Sequence, residues 1–417
     1  MSALARVCLV GFGSAGDIHP LLALGQALRE RGRAVTFVSN PAFATEAAQA
    51  GLGFLPAGEA QHLQDTIRHP KLWHPVDGFG VMWRYLLRPA LQPTYERLEQ
   101  LAGQGPLVVV ASPVAMGARV AQERLGIPLV TAYTAATMLR TVQDPMTLAH
   151  WRVPRWWPDA ARRAAWALLD RYKLEPLVRP ALDALRGRLG LEPLQGPVFG
   201  EWMHSPQAGL ALFPQWFAPG AEDWPRQVVQ AGFPLYDEGG GGLPEGLQEW
   251  LEEGTAPVVF MPGTARLGAE EFFAAALKAC GEAGVRGLLL GDGAPRCAAE
   301  LRTLQGDVRA ERYAPFGALL ARTRALVHHG GIGSCAQALR AGIPQLVVPQ
   351  AYDQFDNAMR LEGLGVGVQV RDVQEMPAQL RRLLASPSVT AACQRWSVRA
   401  EPQAARDAAV RVVEQLA

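Results

Sequence analysis

Short apolar runs alternate with stretches of helical spacing along nearly the whole chain. Arg6–Val10 is a buried-strand run, Gly11–Gly16 reads as a turn, and Pro20–Arg31 repeats apolar residues at helical spacing. Ala34–Val38, Leu107–Val110 and Leu129–Thr131 follow as strands, with a helix across Gly117–Leu125. A second series begins near Pro257: Val258–Met261, Gly287–Leu290, Val308–Ala310, Ala325–Val327 and Leu346–Val348. Brief, continuously apolar strands separated by helices predict α/β domains with mainly parallel sheets. Four successive glycines within Asp237–Pro244 mark a flexible connection between the two series. The pattern sets an N-terminal domain at 1–215, a linker at 216–245, a C-terminal domain at 246–385 and terminal helices at 386–417 that pack back on the first domain. The tail from Met376 onward has helical spacing, broken at Pro402.

Composition narrows this picture only slightly. The 417 residues are 49% hydrophobic and 19% charged, the balance of a folded chain. A net charge of +1 gives no reason to expect a nucleic-acid partner. The five cysteines (8, 280, 297, 335 and 393) are scattered and form no C-x-x-C pair, which argues for free thiols in a reducing compartment and against a zinc site. Val7–Val10 is too short for the apolar region of a signal peptide, and no run of about 18 apolar residues predicts a membrane span.

The most informative chemistry lies in residues 327–357. A strand runs into His328, His329, Gly330, Gly331, Ile332, Gly333 and Ser334, and a helix-like run follows at once. Glycines let the backbone approach an anion, helix N-terminal amides point at it, and His and Ser add donors. The next strand ends at Pro349 in a polar loop carrying Asp353, Gln354 and Asn357. An anion cradle beside hydroxyl-binding groups suits a nucleoside diphosphate sugar. Pro262-Gly263-Thr264 offers a second loop of amides, and Tyr313 is either a core aromatic or a platform for a nucleobase. Adjacent histidines point different ways, so His328-His329 is a poor metal pair.

GFGSAG at 11–16 fits a dinucleotide fingerprint, but the second strand ends in Val38-Ser39-Asn40, without the carboxylate that holds a ribose. Asp17 follows this turn. It is either a helix cap or a general base facing a ligand cleft. Trp151, Trp156, Trp157 and Trp166 interleave with Arg152, Arg155, Arg162, Arg163 and Arg171. That segment is either a helix packing its tryptophans inward, the commoner case, or a surface for lipid or membrane.

Tyr313-Ala-Pro315, His329-Gly-Gly-Ile-Gly-Ser334, Pro349, Asp353-Gln354 and Asn357 resemble the donor signature of the nucleotide-sugar glycosyltransferases with two Rossmann-like domains. The resemblance implies the GT-B fold, two α/β/α domains whose parallel sheets face across a cleft. It implies His329 and Ser334 on the diphosphate, with Gly330, Gly331 and Gly333 in the loop and Thr264 approaching the phosphates. Tyr313 would lie against the base, and Asp353 and Gln354 would bind sugar hydroxyls. Gly16-Asp17-x-x-Pro20 resembles the family's Gly-His-x-x-Pro, with Asp replacing the catalytic His as in the glycopeptide-antibiotic branch. The implied reaction is a single inverting displacement with Asp17 as base, no metal and no cofactor beyond the nucleotide sugar.

Leu72–Pro75 with Phe79-Gly80, Trp202–Pro206, Phe213-Pro214, Trp216–Pro219, Asp223–Pro225 and Gly232–Pro234 resemble a narrower branch, the rhamnosyltransferases of rhamnolipid biosynthesis. That resemblance implies dTDP-L-rhamnose as donor and a 3-(3-hydroxyalkanoyloxy)alkanoate as amphiphilic lipid acceptor. A cytoplasmic location is expected; peripheral contact at the inner membrane is a hypothesis resting on residues 151–171, and whether a partner enzyme supplies the acceptor stays open. Ser14, His19, Trp73, Phe79, Trp83 and Thr134 are the expected acceptor contacts. Other readings stay open: transfer to a polyketide, carotenoid or sterol, a non-hydrolysing nucleotide-sugar epimerase, a non-catalytic nucleotide-sugar binder, and an oxidoreductase resting on GFGSAG alone.

Overall fold

The computed structural model describes residues 6–148, 151–154, 156–236, 242–263, 269–296 and 307–417. The chain forms two compact units. One comprises Met1–Thr147, Trp151–Tyr236 and Pro402–Ala417; the other comprises Leu148–His150 and Asp237–Glu401.

The first unit is built on strands β1 (Arg6–Val10), β2 (Val35–Ser39), β3 (Gly53–Pro56), β4 (Leu107–Ala111), β5 (Leu129–Tyr133), β6 (Ala208–Ala211) and β7 (Val228–Gln230). They lie in the order β3-β2-β1-β4-β5-β6-β7, every pair parallel. β4 and β5 are buried along their whole length. Helices cover both faces of such a sheet, which explains why its strands read as unbroken apolar runs and not as alternating ones. On one face Leu9 and Phe37 pack with Leu21, Leu24 and Leu28 of helix α1 (Ala15–Glu30) and with Ala409, Val410 and Val413 of the last helix. On the other face Cys8 and Val109 pack with Leu91, Leu98 and Val120.

The second unit carries β8 (Val258–Met261), β9 (Gly287–Leu290), β10 (Val308–Glu311), β11 (Ala325–His328), β12 (Gln345–Val347) and β13 (Gly367–Gln369), in the order β10-β9-β8-β11-β12-β13. These pairs are also all parallel. Val258, Phe260 and Val327 pack on Phe272, Phe273 and Leu380, and the opposite face packs Val259 and Leu326 on Leu319 and Ala338. Helix α2 (Ile332–Ala341) follows β11, and helix α3 (Gln354–Leu364) follows β12. The expected pair of parallel-sheet α/β domains is therefore present.

Three boundaries differ from the sequence reading. Helix α1 begins at Ala15, five residues before Pro20, because Asp17 and the glycine turn start the helix and the proline is carried inside it. Residues 216–236 are not linker: they stay with the first unit and supply β7, a three-residue edge strand too short to announce itself. Of the terminal helices, Pro387–Ser397 belongs to the second unit, and only Pro402–Glu414 packs in the first. Arg31 with Asp407 (2.8 Å) and Arg33 with Glu414 (3.5 Å) flank that last contact.

Candidate functional site

In both sheets the strand order turns back on itself, between β1 and β4 and again between β8 and β11. Open parallel sheets bind ligands beyond the strand carboxyl ends at this point. The singled-out motifs follow β1 in the first unit, and β8 and β11 in the second.

After β1, Ser14 caps α1 and Asp17 lies in its first turn. One carboxylate oxygen of Asp17 accepts the Ser14 amide at 2.9 Å and the Ser14 hydroxyl at 3.2 Å. Thr134, one residue beyond β5, donates its hydroxyl to Met138 Sδ at 3.6 Å and lies near enough to the Asp17 carboxyl to lower its pKa. Asp17 keeps part of its surface exposed, yet protein crowds the carboxyl. Burial raises its pKa above the ordinary carboxylate value, and the Ser14 and Thr134 donors pull it back down. Gly13 makes this geometry feasible: its φ is +138°, and a Cβ there would lie 2.2 Å from Asp17 Oδ2. Ser39 donates to the Gly11 carbonyl at 2.7 Å and Asn40 caps the next turn, so the end of β2 is committed to structure.

The structure redistributes the expected acceptor contacts. Ser14 serves Asp17, and Thr134 donates to Met138. His19 stacks on Tyr236 with ring centroids 5.0 Å apart. Phe79 is half-buried and meets Phe199 edge-on at 5.6 Å. Trp73 is half-buried, whereas Trp83 is only 2% exposed and belongs to the core. Beside Thr134, Tyr133 and His204 share a buried 2.7 Å hydrogen bond. Burial, and then the Arg140 cation, pushes the His204 pKa down to about 4, so this histidine is neutral.

In the second unit, β11 ends at His328 and divides the two histidines. His328 is wholly buried; its Nδ1 accepts the Gly330 amide at 3.1 Å, which leaves the proton on Nε2 to be donated to Gln345 Oε1 at 3.1 Å. Burial, with His329 adding to it, pushes the His328 pKa down to about 3. This ring is a fixed, neutral brace for the glycine loop. The His329 ring stands perpendicular to it, centroids 6.4 Å apart, and lies between two glycines. A Cβ at Gly331 would be 2.5 Å from His329 Nε2, and one at Gly263 would be 3.0 Å from His329 Nδ1. Gly331 caps α2, and Gly333 and Ser334 lie in its first turn. A Cβ at Gly333 would meet nothing within 4 Å, so the start of the helix is open. Thr264 lies outside the described residues.

The loop before α3 is stitched to this cradle. Asn357 donates to the Gly330 carbonyl at 2.9 Å and to Asp353 at 2.8 Å. Gln354 is buried, and its Oε1 accepts the amides of Gln350 (2.8 Å) and Ala351 (3.2 Å), so that oxygen shapes the loop. Asp353 is half-buried, and Tyr313 stands 51% exposed beyond β10. Tyr352 has φ +54°, the only positive φ among the described non-glycine residues. Such strain collects at ligand loops. No feature of the sequence marks Tyr352. The roles of Gly13 and Gly263 are hinted at only by their being glycines in strand-end turns.

Rossmann-type sheets with a glycine loop and helix N-terminus at one switch point and a crowded, partly exposed carboxylate at the other define an α/β protein of two units of the nucleotide-binding type. Residues 7–143 match the glycosyltransferase family 28 N-terminal domain, and residues 294–417 match the C-terminal domain of erythromycin biosynthesis protein CIII-like proteins. The chain, in its two parallel-sheet α/β units, has the fold of the GT-B glycosyltransferases. It is similar to the O-mycaminosyltylonolide 6-deoxyallosyltransferase of Streptomyces fradiae, 29% identical over 86% of this chain and 84% of that one. It is also similar to glycosyltransferase GtfE of Amycolatopsis orientalis, 28% identical over 95% of this chain and 92% of that one. Among solved structures, glycosyltransferase VinC in complex with dTDP superposes with a TM-score of 0.70 at 21% identity, covering 98% of this chain and 100% of that one. The spinosyn rhamnosyltransferase SpnG does so at 0.65 and 21%, covering 96% and 98%. None of the described helices is long and apolar enough to cross a membrane.

Proposed function

We propose that this glycosyltransferase moves a deoxyhexose from a dTDP-sugar to a hydroxyl of a largely apolar acceptor, with inversion and with Asp17 as general base. The observation that carries the donor half is the seating of His329 between Gly263 and Gly331, beside the open N-terminus of α2. Helix amides and an imidazole at one strand end suit a leaving diphosphate. They meet the negative charge that builds as the glycosidic bond breaks, which is stabilisation aimed at the transition state. Tyr313 offers its exposed ring to the base, and Asp353 its carboxylate to sugar hydroxyls. dTDP is the first nucleotide to test because a structural neighbour was solved with it.

The acceptor half rests on Asp17. Its carboxylate is oriented by Ser14 and has a raised pKa, which brings its basicity nearer to that of a working general base. It takes the hydroxyl proton as the oxygen attacks the anomeric carbon. The matched N-terminal domain and both relatives are transferases by name, which favours transfer over epimerisation.

Within this class our first candidate pair is dTDP-L-rhamnose and a 3-(3-hydroxyalkanoyloxy)alkanoate lipid, supported by the motif resemblance. A macrolactone or other polyketide acceptor is the second reading, favoured by the tylonolide relative. An end-point assay by mass spectrometry tests both. The expected result is a product heavier by one deoxyhexosyl unit, absent or reduced by about 10²-fold or more in Asp17→Asn. Near-normal turnover in that variant would remove the base assignment. Failure to bind dTDP would remove the donor site.

A further inference from the structure

Large apolar side chains scattered singly over a surface need no explanation, but clustered ones do. Seven are exposed among the described residues, and four of them fall in the first unit on the helix beginning at Asp159 and on two segments near its ends: Trp156 (81%), Leu168 (56%), Tyr172 (67%) and Val76 (61%). The helix Asp159–Leu169 continues through Asp170–Leu174. Its exposed positions include Ala160, Ala164, Leu168 and Tyr172 at four-residue spacing, an apolar stripe that faces solvent. The opposite face is locked inward. Arg162 is buried and donates to the Trp157 carbonyl at 3.0 Å, Arg140 pairs with Asp170 at 2.7 Å, and Arg140 also covers Trp166 at 4.7 Å. The tryptophans thus divide: Trp157 and Trp166 are partly buried, while Trp156 projects outward.

Charge tells what this stripe fits. Exposed Arg163, Arg171 and Lys173 line it, and among the described residues no ion pair compensates them. The nearby acids are engaged: Asp159 pairs with Arg162 at 3.1 Å, and Asp77 with Lys71 at 3.3 Å and His74 at 3.5 Å. Lys173 acts electrostatically on Asp77 together with Lys71, which places the 71–77 strip and Val76 beside the Lys173 end. The whole chain carries only +1, so this positive face is local.

We propose that this face docks in the plane of an anionic phospholipid surface. Trp156, Leu168 and Tyr172 would enter the headgroup boundary, and the three long cations would reach the lipid phosphates. The inference stands on the exposed face alone and does not depend on which acceptor the enzyme uses.

Sedimentation with vesicles tests it. Phosphatidylcholine vesicles containing phosphatidylglycerol should pull down the full chain, pure phosphatidylcholine far less, and added salt should weaken the binding. Each cation near an anionic leaflet is worth about a fivefold gain in partitioning. Replacing all three (Arg163→Gln, Arg171→Gln, Lys173→Gln) should therefore weaken binding by about 100-fold. Trp156→Ser with Tyr172→Ser should weaken it on both vesicle types while leaving thermal stability and dTDP affinity at wild-type values. Indifference of the wild type to both vesicles overturns the proposal, and capture of a protein partner by this face instead would reassign it. Wild-type partitioning by the triple variant overturns it equally.

Discussion

The sharpest test of the first unit's chemistry is Gly13→Ala. Gly13 sits at φ +138°, where an L side chain is strained, by about 1–3 kcal/mol for such backbone. The added Cβ would arrive 2.2 Å from Asp17 Oδ2 and 3.0 Å from Asp17 Cβ, so the carboxylate must move by about 1 Å and the Ser14 hydrogen bonds must lengthen or break. A displacement of that size costs about 10²-fold when it misplaces a reacting group. Gly16→Ala is the matched control. It lies in the first turn of α1 without a positive φ, and its Cβ would find only Ser14 Oγ, at 3.6 Å. We expect Gly13→Ala to lower kcat about 100-fold, to leave dTDP affinity unchanged and to melt within a few degrees of wild type, while Gly16→Ala turns over normally. Nucleotide release during transfer, followed beside a thermal melt, reads all of this. Turnover of Gly13→Ala within threefold of wild type would refute the link between that glycine and a positioned base. Equal losses in both variants would refute it as well.

Further outcomes follow from the same geometry. The raised pKa of Asp17 puts the acid limb of kcat/KM above the ordinary carboxylate range, and Thr134→Val removes a donor that lowers it, so the limb should move to still higher pH; an unmoved pH profile would count against Thr134 as a positioning residue. His329→Ala should weaken dTDP binding by about 10- to 100-fold, the worth of a hydrogen bond to a charged group. Gly331→Ala, which drives a Cβ to 2.5 Å from His329 Nε2, should do likewise, and calorimetry showing wild-type affinity in both would remove His329 from the donor site. His328 and His204, pushed down to about 3 and 4, stay neutral when folded but charge near pH 6.5 when unfolded. Stability should be full above that value and fall toward pH 4 by about 1.4 kcal/mol per pH unit for each histidine. Asp17 and Asp170, whose pKa values are raised, act in the opposite sense and only between the ordinary carboxylate pKa and their own. Urea melts that stay level from pH 7 to pH 5 would contradict neutral burial of these histidines.

The two-sheet architecture was legible in the sequence because a parallel sheet covered on both faces leaves uniformly apolar strands, and Val258–Met261 and Gly287–Leu290 were read to the residue. What escaped was whatever depends on partners remote in sequence. β7 is three residues long and owes its existence to pairing with β6. The division of the tail at Pro402 depends on which unit offers an apolar face, and only the last helix finds Leu21 and Leu28 of α1. Tyr352 is held at φ +54° by its surroundings, and nothing in its own chemistry announces that.

The candidate site separates along the same line. Local sequence was enough to place His329, the glycine loop and Asp17 at strand ends, because a strand followed by glycines and a helix fixes where those residues fall. It could not assign side-chain roles, because those are decided across strands. His328 and His329 are chemically identical and adjacent, yet one braces a loop from the core and the other lies between two glycines. Ser14 and Thr134, 120 positions apart, converge on one carboxylate. That convergence carries a functional argument that spacing could not. The Ser14 contacts form a capping box at the start of α1, and beyond that box Asp17 has a glycine cleared to admit it and a pKa raised by burial. The base role proposed for Asp17 requires such an arrangement, and turnover of Asp17→Asn and Gly13→Ala decides it.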